Sequence, residues 1–359
     1  MSQHSEQQEL RVAVIGYGLA GAVFHAPLIA ADPRMRVAAV VTGSAQRADQ
    51  ARAEHPGVRV LERADDLFSA PEQADLVVVA APNSAHAPLA HAALAAGLPV
   101  VVDKPFTPTA AQGAELVEAA QKAGLPLSVF QNRRWDGDFL TVRRLVAEGR
   151  LGEVTRFESR FERWRPTPKG GWRETGGAEE AAGLLYDLGS HLVDQALVLF
   201  GPVASVYAET DTRRAGVTAD DDTFVALEHE SGVRSHLWMS AVAPQLGPRF
   251  RVLGSAGGFV KYGLDVQEDA LRAGTRPGDP DWGADLPVRY GIVGAGDDIE
   301  TVATENGAYE SYYAGIAAAL LDGAPVPVDP REAVEALAVL EAARAYAESD
   351  PDRIDGEAL

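Results

Sequence analysis

Three glycines that follow the first apolar run limit what this chain can fold into. Residues 11–15 (RVAVI) are rich in β-branched side chains, and the helical stretch 22–31 begins after Gly16, Gly18 and Gly21. This order of strand, GxGxxG turn and helix is typical of a dinucleotide-binding unit, because the glycines allow a tight turn, a backbone approach to pyrophosphate and close helix packing. The pyrophosphate would meet the NH groups at the helix N-terminus. The turn residues predicted to contact the cofactor are Gly16, Tyr17, Gly18, Leu19, Ala20 and Gly21.

Five more β-rich runs follow, and Ala-rich helical segments such as 85–96 and 109–123 separate them. Strands that alternate with helices are typical of a parallel sheet covered on both faces. The first part of the chain is therefore predicted to form an α/β domain, a doubly wound parallel Rossmann sheet of six strands. The five later runs cover residues 36–41, 58–60, 75–80, 99–102 and 126–130.

After Phe130 the pattern changes to strands joined by short turns. Side chains in 154–163 alternate between uncharged and charged, as in a strand with one buried face. We expect an α+β domain with an open, mainly antiparallel sheet, and a long loop at the Gly-, Pro- and Asp-rich stretch 274–296. The predicted division is a cofactor-binding Rossmann domain at 1–128 and a substrate-binding and oligomerisation domain at 129–359. Further strands are expected at 203–209, 223–230, 233–241, 249–254 and 259–262, and helices at 139–148, 308–321 and 331–348.

Length and charge narrow the classes of function. A chain of 359 residues exceeds the usual size of one hydrophobic core, which favours two domains. The formal net charge of −20 disfavours nucleic acid and anionic membranes as partners. The absence of cysteine excludes disulfides and thiolate metal sites and fits a reducing cytoplasm, and Met1–Glu9 lacks the apolar core of a signal peptide. No apolar run approaches the roughly 18 residues of a membrane span, and the histidines lack metal-binding spacing, so no metal is expected.

The end of the second strand indicates which dinucleotide is bound. An NAD site usually carries Asp or Glu here for the ribose 2′-hydroxyl, but neither occurs between Arg34 and Ala48. Thr42, Ser44 and Arg47 instead offer two hydroxyls and a guanidinium, which suit a 2′-phosphate. NADP(H) is therefore predicted, with NAD as the alternative. The simpler interpretation of Arg47 is a solvated side chain on the next helix.

A lysine, Lys104, follows the apolar run 99–102 at the carboxyl edge of the predicted sheet, where open α/β sheets bind ligands. Asn83 follows the preceding strand, so both side chains are expected at one crevice. An ordinary surface turn is the alternative for a Lys-Pro pair. The residues of these two segments predicted to contact the cofactor are Ala81, Pro82, Asn83, His86 and Lys104.

Polar residues recur on one face of the apolar helix predicted over 183–194. Asp187, His191 and Asp194 are spaced by four and three, which places them above one another in a helix. The stripe either faces a cleft or is a core histidine satisfied by neighbouring carboxylates. Neutral imidazole is the best available base near pH 7, so His191 is predicted to accept a proton, with Asp187 beside it and Asp194 supporting the helix.

Arginine and tryptophan are dense between Arg133 and Arg173. Some of these side chains are expected to contact cofactor phosphates or the apolar face of a sugar ring, and structural ion pairs or core aromatic contacts are the alternative for any one of them. The three assigned to the cofactor are Arg134, Trp172 and Arg173.

Taken together, these motifs resemble the glucose-fructose oxidoreductase / inositol dehydrogenase (Gfo/Idh/MocA) family over nearly the whole chain, most closely its NADP-dependent scyllo-inositol dehydrogenase subgroup. The resemblance implies that Lys104, Asp187 and His191 are catalytic and that the Lys104–Pro105 peptide can be cis. Asp103 departs from the family pattern, which has Glu before Lys-Pro. The family motifs are Gly16-x-Gly18-x-x-Gly21, Pro82-Asn83-x-x-His86, Lys104-Pro105 and Asp187-x-Gly189-x-His191-x-x-Asp194; those of the subgroup are Phe24-His25-Ala26-Pro27, Asn132-Arg133-Arg134-Trp135-Asp136, Trp172-Arg173-Glu174 and residues 186–191.

These observations predict an NADP(H)-dependent oxidoreductase that acts on CH–OH groups of a cyclic polyol or sugar, with scyllo-inositol as one candidate. A dehydrogenase or reductase of another sugar is the first alternative, and a non-catalytic dinucleotide-binding regulator is the second. An open sheet with one uncovered apolar face predicts a homo-oligomer, either a dimer or a tetramer.

Overall fold

The computed structural model of the protein describes residues 9–349, so most of the stretch Met1–Glu9 lies outside the described residues. The chain forms two compact units that are discontinuous in sequence. One takes the residues up to Thr141 with Asp265–Val288 and Ala303–Val334, and the other takes Val142–Leu264, Arg289–Val302 and the residues from Glu335 onward.

The first unit is built on a six-stranded sheet in the order β3-β2-β1-β4-β5-β6, with every pairing parallel. This confirms the predicted doubly wound sheet. β1 lies in the middle, where Val12, Ala13 and Val14 are fully buried because helices cover both faces of such a sheet. The strands are β1 (Leu10–Ile15), β2 (Met35–Val41), β3 (Arg59–Leu61), β4 (Leu76–Val79), β5 (Val100–Val102) and β6 (Leu127–Val129).

Helices follow most strands, and side chains cap those that begin at Ala45 and Ala110. Ser44 accepts from the backbone NH of Arg47 at 3.4 Å, and Thr109 caps a later helix in the same way. Within residues 9–349 none of the helices combines the length and apolarity needed to cross a bilayer. The helices are α1 (Ala26–Ala30), which continues a π-helical segment Ala20–His25, α2 (Ala45–Glu54), α3 (Ala64–Phe68), α4 (His86–Ala95), α5 (Ala110–Ala123), α6 (Gly137–Ala147), α7 (Trp172–Thr175), α8 (Leu184–Asp187), α9 (Gly189–Phe200), α10 (Gln267–Ala273), α11 (Glu310–Asp322) and α12 (Pro330–Ser349).

The second unit carries an eight-stranded sheet in the order β14-β13-β12-β11-β7-β10-β9-β8. Its pairings are antiparallel except that of β7 with β10, so the mainly antiparallel prediction is confirmed. Helix α9 packs closely, since a Cβ on Gly189 would lie 3.3 Å from Leu340 and 3.4 Å from Met239. The strands are β7 (Val154–Glu162), β8 (Val203–Asp211), β9 (Asp222–His229), β10 (Arg234–Ser240), β11 (Phe250–Gly254), β12 (Gly258–Lys261), β13 (Gly291–Ala295) and β14 (Asp298–Val302).

The loop predicted over 274–296 was wrong at its end, where β13 pairs with β12 and then with β14. Gly291 explains the error. A Cβ at this position would lie 2.3 Å from the ring of Phe259, so the strand needs a glycine that local sequence patterns associate with loops.

Hydrogen bonds hold later segments to the first unit. Asp265 accepts from the NH of Gly137 at 2.8 Å, and Ser128 donates to the carbonyl of Val328 at 2.9 Å. A division at 128/129 would give two continuous domains, whereas two later segments, Asp265–Val288 and Ala303–Val334, belong to the first compact unit. The functional assignment of 1–128 and 129–359 stays a prediction.

Candidate active site

In the turn after β1, backbone atoms lie so close to the first and third glycines that neither position has room for a side chain. Gly16 has φ +95°, and a Cβ there would lie 2.4 Å from the carbonyl oxygen of Ala80. A Cβ on Gly21 would lie 2.0 Å from the carbonyl oxygen of Gly16, so helix and turn could not approach as they do. The first NH groups of a helix have no intrahelical acceptor, so the turn presents backbone donors suited to an anion.

Arg47 lies over the second glycine of this turn. Its guanidinium atoms are 3.8 Å from the position that a Cβ on Gly18 would occupy, although Arg47 stands on α2 and is exposed. The hydroxyl of Thr42 accepts from the NH of Ser44 at 3.3 Å, and that of Ser44 accepts from the NH of Arg47, so both hydroxyls keep a proton to donate. The cation of Arg47 thus lies beside the glycine turn, and the two hydroxyls lie on the segment between β2 and Arg47.

Tyr17 sits in the turn but points into the unit. Its side chain is buried, and its hydroxyl donates to Glu54 at 2.6 Å. Burial, with the Glu54 hydrogen bond, raises the pKa of Tyr17 far above its ordinary value. A cofactor contact by this residue would therefore come from its backbone.

His86 ties the segment after β4 to the segment after β5. Its Nδ1 lies 2.8 Å from the carbonyl oxygen of Pro105, and its Nε2 lies 2.9 Å from that of Ala81. A neutral imidazole has one N–H and donates to one of these carbonyls at a time, and burial lowers the pKa of His86. The ring is buried, as is most of Asn83. His86 therefore contacts both segments predicted to hold the cofactor from the buried side of the unit.

Lys104 follows β5, and the Lys104–Pro105 peptide is cis, in agreement with the resemblance. Its backbone NH donates to the carboxylate of Asp103 at 2.8 Å. This carboxylate, which stands where the family has Glu, is thus engaged with the backbone of the lysine itself.

Beside Asp103 lies His25, a residue of the Phe24-His25-Ala26-Pro27 motif for which the sequence indicates no role. His25 Nε2 is 3.6 Å from Asp103 Oδ1, and Nδ1 is 2.6 Å from the hydroxyl of Tyr313. Because a carboxylate only accepts, the proton fits on Nε2, and Nδ1 then accepts from Tyr313. Burial raises the pKa of Asp103, but the neighbouring His25, His86 and Lys104 outweigh that effect and lower the pKa.

In the second unit, the helix predicted over 183–194 is interrupted. Leu188, with φ −105° and ψ −37°, separates α8 from α9. Asp187 ends α8 with its side chain 28% exposed, whereas His191 is 4% and Asp194 2% exposed. The polar stripe is therefore graded in depth, with Asp187 toward solvent and Asp194 in the core.

A cavity of about 220 Å³ in the same unit has Asp187 on its wall. Arg173 Nε lies 3.7 Å from Asp187 Oδ1, and the Arg173 guanidinium stacks at 4.7 Å from the ring of Trp172. Burial raises the pKa of Asp220, which also faces the cavity. The wall includes Arg163, Arg165, Lys169, Trp172, Arg173, Glu174, Leu184, Asp187, Leu188, Arg214 and Asp220.

The predicted site residues thus fall into two groups. The first unit brings the glycine turn together with Arg47, and His86 together with the residues around Lys104, while the guanidinium of Arg134 pairs with Glu332 at 2.6 Å. The second unit brings Asp187 together with Trp172 and Arg173. The cavity residues Arg214 and Asp220 were missed, because they come from the β8–β9 connection, far along the sequence from the other wall residues. Residues 9–349 contain no group of three or more His, Asp or Glu side chains placed to hold a metal ion.

A parallel sheet of order 3-2-1-4-5-6 with a glycine turn after its first strand is typical of dinucleotide binding, and together with an α+β unit that carries a polar cavity it indicates an NAD(P)-dependent oxidoreductase. Family models agree. Residues 10–131 match the model described as "Oxidoreductase family, NAD-binding Rossmann fold", and residues 143–352 match "Oxidoreductase family, C-terminal alpha/beta domain". The chain belongs to the Gfo/Idh/MocA oxidoreductase family.

Bacterial oxidoreductases are similar to this protein over nearly the whole chain. The scyllo-inositol 2-dehydrogenase (NADP(+)) IolW of Bacillus subtilis is 37% identical over 338 residues, 93% of this chain and 92% of that protein. The uncharacterized oxidoreductase YdgJ of Escherichia coli is 43% identical and covers 92% of this chain and 94% of its own length. Among solved structures, an oxidoreductase from Bacillus cereus superposes with a TM-score of 0.85 at 30% identity, covering 94% of this chain and 97% of that one.

Proposed function

We propose that this oxidoreductase transfers hydride between NADP(H) and a ring secondary alcohol or ketone of a cyclic polyol or sugar, with scyllo-inositol the first compound to test. The observation that carries the substrate class is the polar cavity of the second unit, which has Asp187 on its wall. His191 lies four residues further along the chain, in α9. The name of the Bacillus subtilis relative supports both the polyol and NADP.

The residues present fit a dinucleotide. The turn has no room for a Cβ at Gly16 or Gly21, while at Gly18 the nearest atoms belong to the mobile end of Arg47. Gly16, Gly18 and Gly21 would hold the pyrophosphate by backbone NH groups, and Arg47 with Thr42 would hold the 2′-phosphate. When bound, the nicotinamide supplies the hydride acceptor or donor.

The proton acceptor in this proposal is His191. Oxidation of a secondary alcohol releases the hydroxyl proton as hydride leaves the carbon, and an imidazole titrates in the range where such a base works. His191 lies in the first turn of α9 and is mostly buried, which limits competition from water. Asp187 would hydrogen-bond a substrate hydroxyl or stabilise the imidazolium.

Lys104 would stabilise the alkoxide that forms as the proton leaves, since a fixed cation acts most strongly on developing charge. Its backbone is held by Asp103, and the segment on its far side is held by His86.

The proposal extends to assembly and compartment. Apolar side chains are exposed on the second sheet, including Tyr207, Ile292 and Ile299, which are 41%, 47% and 58% exposed. A second copy covering them would form a homodimer, or a homotetramer of dimers. The lack of cysteine fits work in the reducing cytoplasm.

The test is a panel of polyols and sugars, including scyllo-inositol, assayed with NADP⁺ and with NAD⁺ by absorbance of the reduced cofactor. We expect turnover of at least one ring polyol and a higher kcat/KM with NADP⁺. Binding of NADP(H) without turnover of any member would contradict an enzyme and favour a dinucleotide-binding regulator. Light scattering of the purified protein measures whether it is a dimer or a tetramer.

A further inference from the structure

The cavity of the second unit is basic in an acidic protein. The chain has a net charge of −20, yet five Lys and Arg residues line the cavity against three Asp and Glu residues. Four of those cations, Arg163, Arg165, Lys169 and Arg173, lie on one short stretch of chain. A concentration of one sign of charge inside a concave wall attracts ligands of the opposite sign.

Backbone pairing aims two of these guanidinium groups at the cavity. The NH of Arg163 donates to Ser240 at 2.8 Å, and the NH of Arg165 donates to Ala241 at 2.7 Å. Trp164 between them forms a bridge with Val242 and is 56% exposed. Side chains alternate sides along an extended segment, so Arg163 and Arg165 share the cavity side.

A third arginine fixes the wall and is already neutralised. Arg214 donates to Glu174 at 2.9 Å and to Asp221 at 2.8 Å, and it also donates to the carbonyl of Arg165 at 3.3 Å. Glu174 in turn accepts from the NH of Gly170 at 2.7 Å, which anchors the loop that carries Lys169.

The remaining cations differ in whether an acidic side chain neutralises them. Arg173 forms an ion pair with Asp187, with Nε 3.7 Å from Oδ1. Within residues 9–349 no ion pair engages the guanidinium of Arg165 or the ammonium group of Lys169. The ion pairs of Arg214 thus hold the wall in place, while Arg165 and Lys169 line the space where a ligand would lie.

We propose that this cavity binds an oxyanion carried by the substrate, a carboxylate or a phosphate, through Arg165 and Lys169. Guanidinium and ammonium groups are the usual protein partners of both anions. The inference rests on the proposed function and narrows it, because the preferred polyol or sugar would be an acid or a phosphate ester, and neutral scyllo-inositol would bind more weakly.

Calorimetric titration of the full chain, with and without NADP⁺, tests this with matched pairs of compounds. The pairs are D-gluconate with D-glucitol, D-glucuronate with D-glucose, and myo-inositol 1-phosphate with myo-inositol. We expect at least one anion to bind about 10-fold or more tightly than its neutral partner, which corresponds to about 1.4 kcal/mol. Its affinity should fall as salt rises.

The double variant R165Q/K169Q should lose that preference, so that the anion and its neutral partner bind with similar affinity. The control variant R143Q/R156Q removes the same charge from exposed positions off the cavity wall and should keep the preference.

Two results would overturn the inference: no anion binding more tightly than its neutral partner, or R165Q/K169Q weakening NADP⁺ while leaving the anions unchanged. The latter would assign these cations to the cofactor. Because calorimetry does not need hydride transfer, an absence of turnover would contradict the proposed function alone.

Discussion

The guanidinium of Arg47 lies 3.8 Å from the Cβ position of Gly18, so the first turn of α2 lies beside the glycine turn. A 2′-phosphate bound there would gain a charge-assisted hydrogen bond, worth about 1.5–3 kcal/mol. We expect Arg47→Ala to raise the KM for NADP⁺ about 10-fold or more and to change the KM for NAD⁺ less than about 3-fold. Steady-state kinetics with both cofactors measure this, and equal effects would remove the 2′-phosphate role.

Loss of the base on α9 should lower the chemical rate. We expect His191→Asn to lower kcat at least about 10²-fold, as is typical for removal of a general base. Asp194→Asn, three residues on and 2% exposed, should lower the melting temperature and affect kcat less. A variant at His191 that keeps full turnover would show that another group takes the proton.

The close approach at the third glycine of the turn makes a packing prediction. A Cβ on Gly21 would lie 2.0 Å from the carbonyl oxygen of Gly16, and strain of this kind typically costs about 1–3 kcal/mol. Gly21→Ala should therefore lower the melting temperature and weaken NADP⁺ binding. Gly43→Ala, which meets no atom within 4 Å, should leave the melting temperature unchanged. Equal melting temperatures for both variants would mean that the turn relaxes freely.

A buried carboxyl group makes stability depend on pH in the first unit. Burial and the charge of Asp138 raise the pKa of Asp265 to about 6 from 3.8. The folded state therefore holds this proton more tightly than the unfolded chain, so the stabilisation is complete below about pH 4 and is lost as pH rises through about 6.

Denaturant unfolding of the wild type and of Asp265→Asn between pH 4 and pH 7.5 measures this effect. The free energy of unfolding of the wild type should fall relative to that of the variant by about 1–3 kcal/mol over the range. A constant difference across the range would contradict the raised pKa. Replacing the carboxylate that accepts from the NH of Gly137 can also change the free energy of unfolding, but this change is the same at pH 4 and at pH 7.5 and so does not affect the comparison.

Local patterns in the sequence were enough to predict the six parallel strands, the mainly antiparallel second sheet and the family. These features repeat along the chain at short range, as glycine spacing, β-branched runs and alternation. The loop predicted over 274–296 was wrong where a distant contact overrides the local pattern: Gly291 lies in a strand because the ring of Phe259 fills the space beside it. The return of the segments 265–288 and 303–334 to the first unit also depends on distant contacts, such as that of Gly137 with Asp265.

The candidate site divides in the same way. The sequence by itself determined which residues could do chemistry, Lys104, Asp187, His191 and the glycine turn, because their residue types and spacing carry that information. Only the tertiary structure decided their surroundings: His25 beside Asp103, Arg47 over Gly18, and Arg214 and Asp220 in the wall of a basic cavity. Such pairings join residues up to 78 positions apart, and the chain must close those loops before burial and charge can act between them.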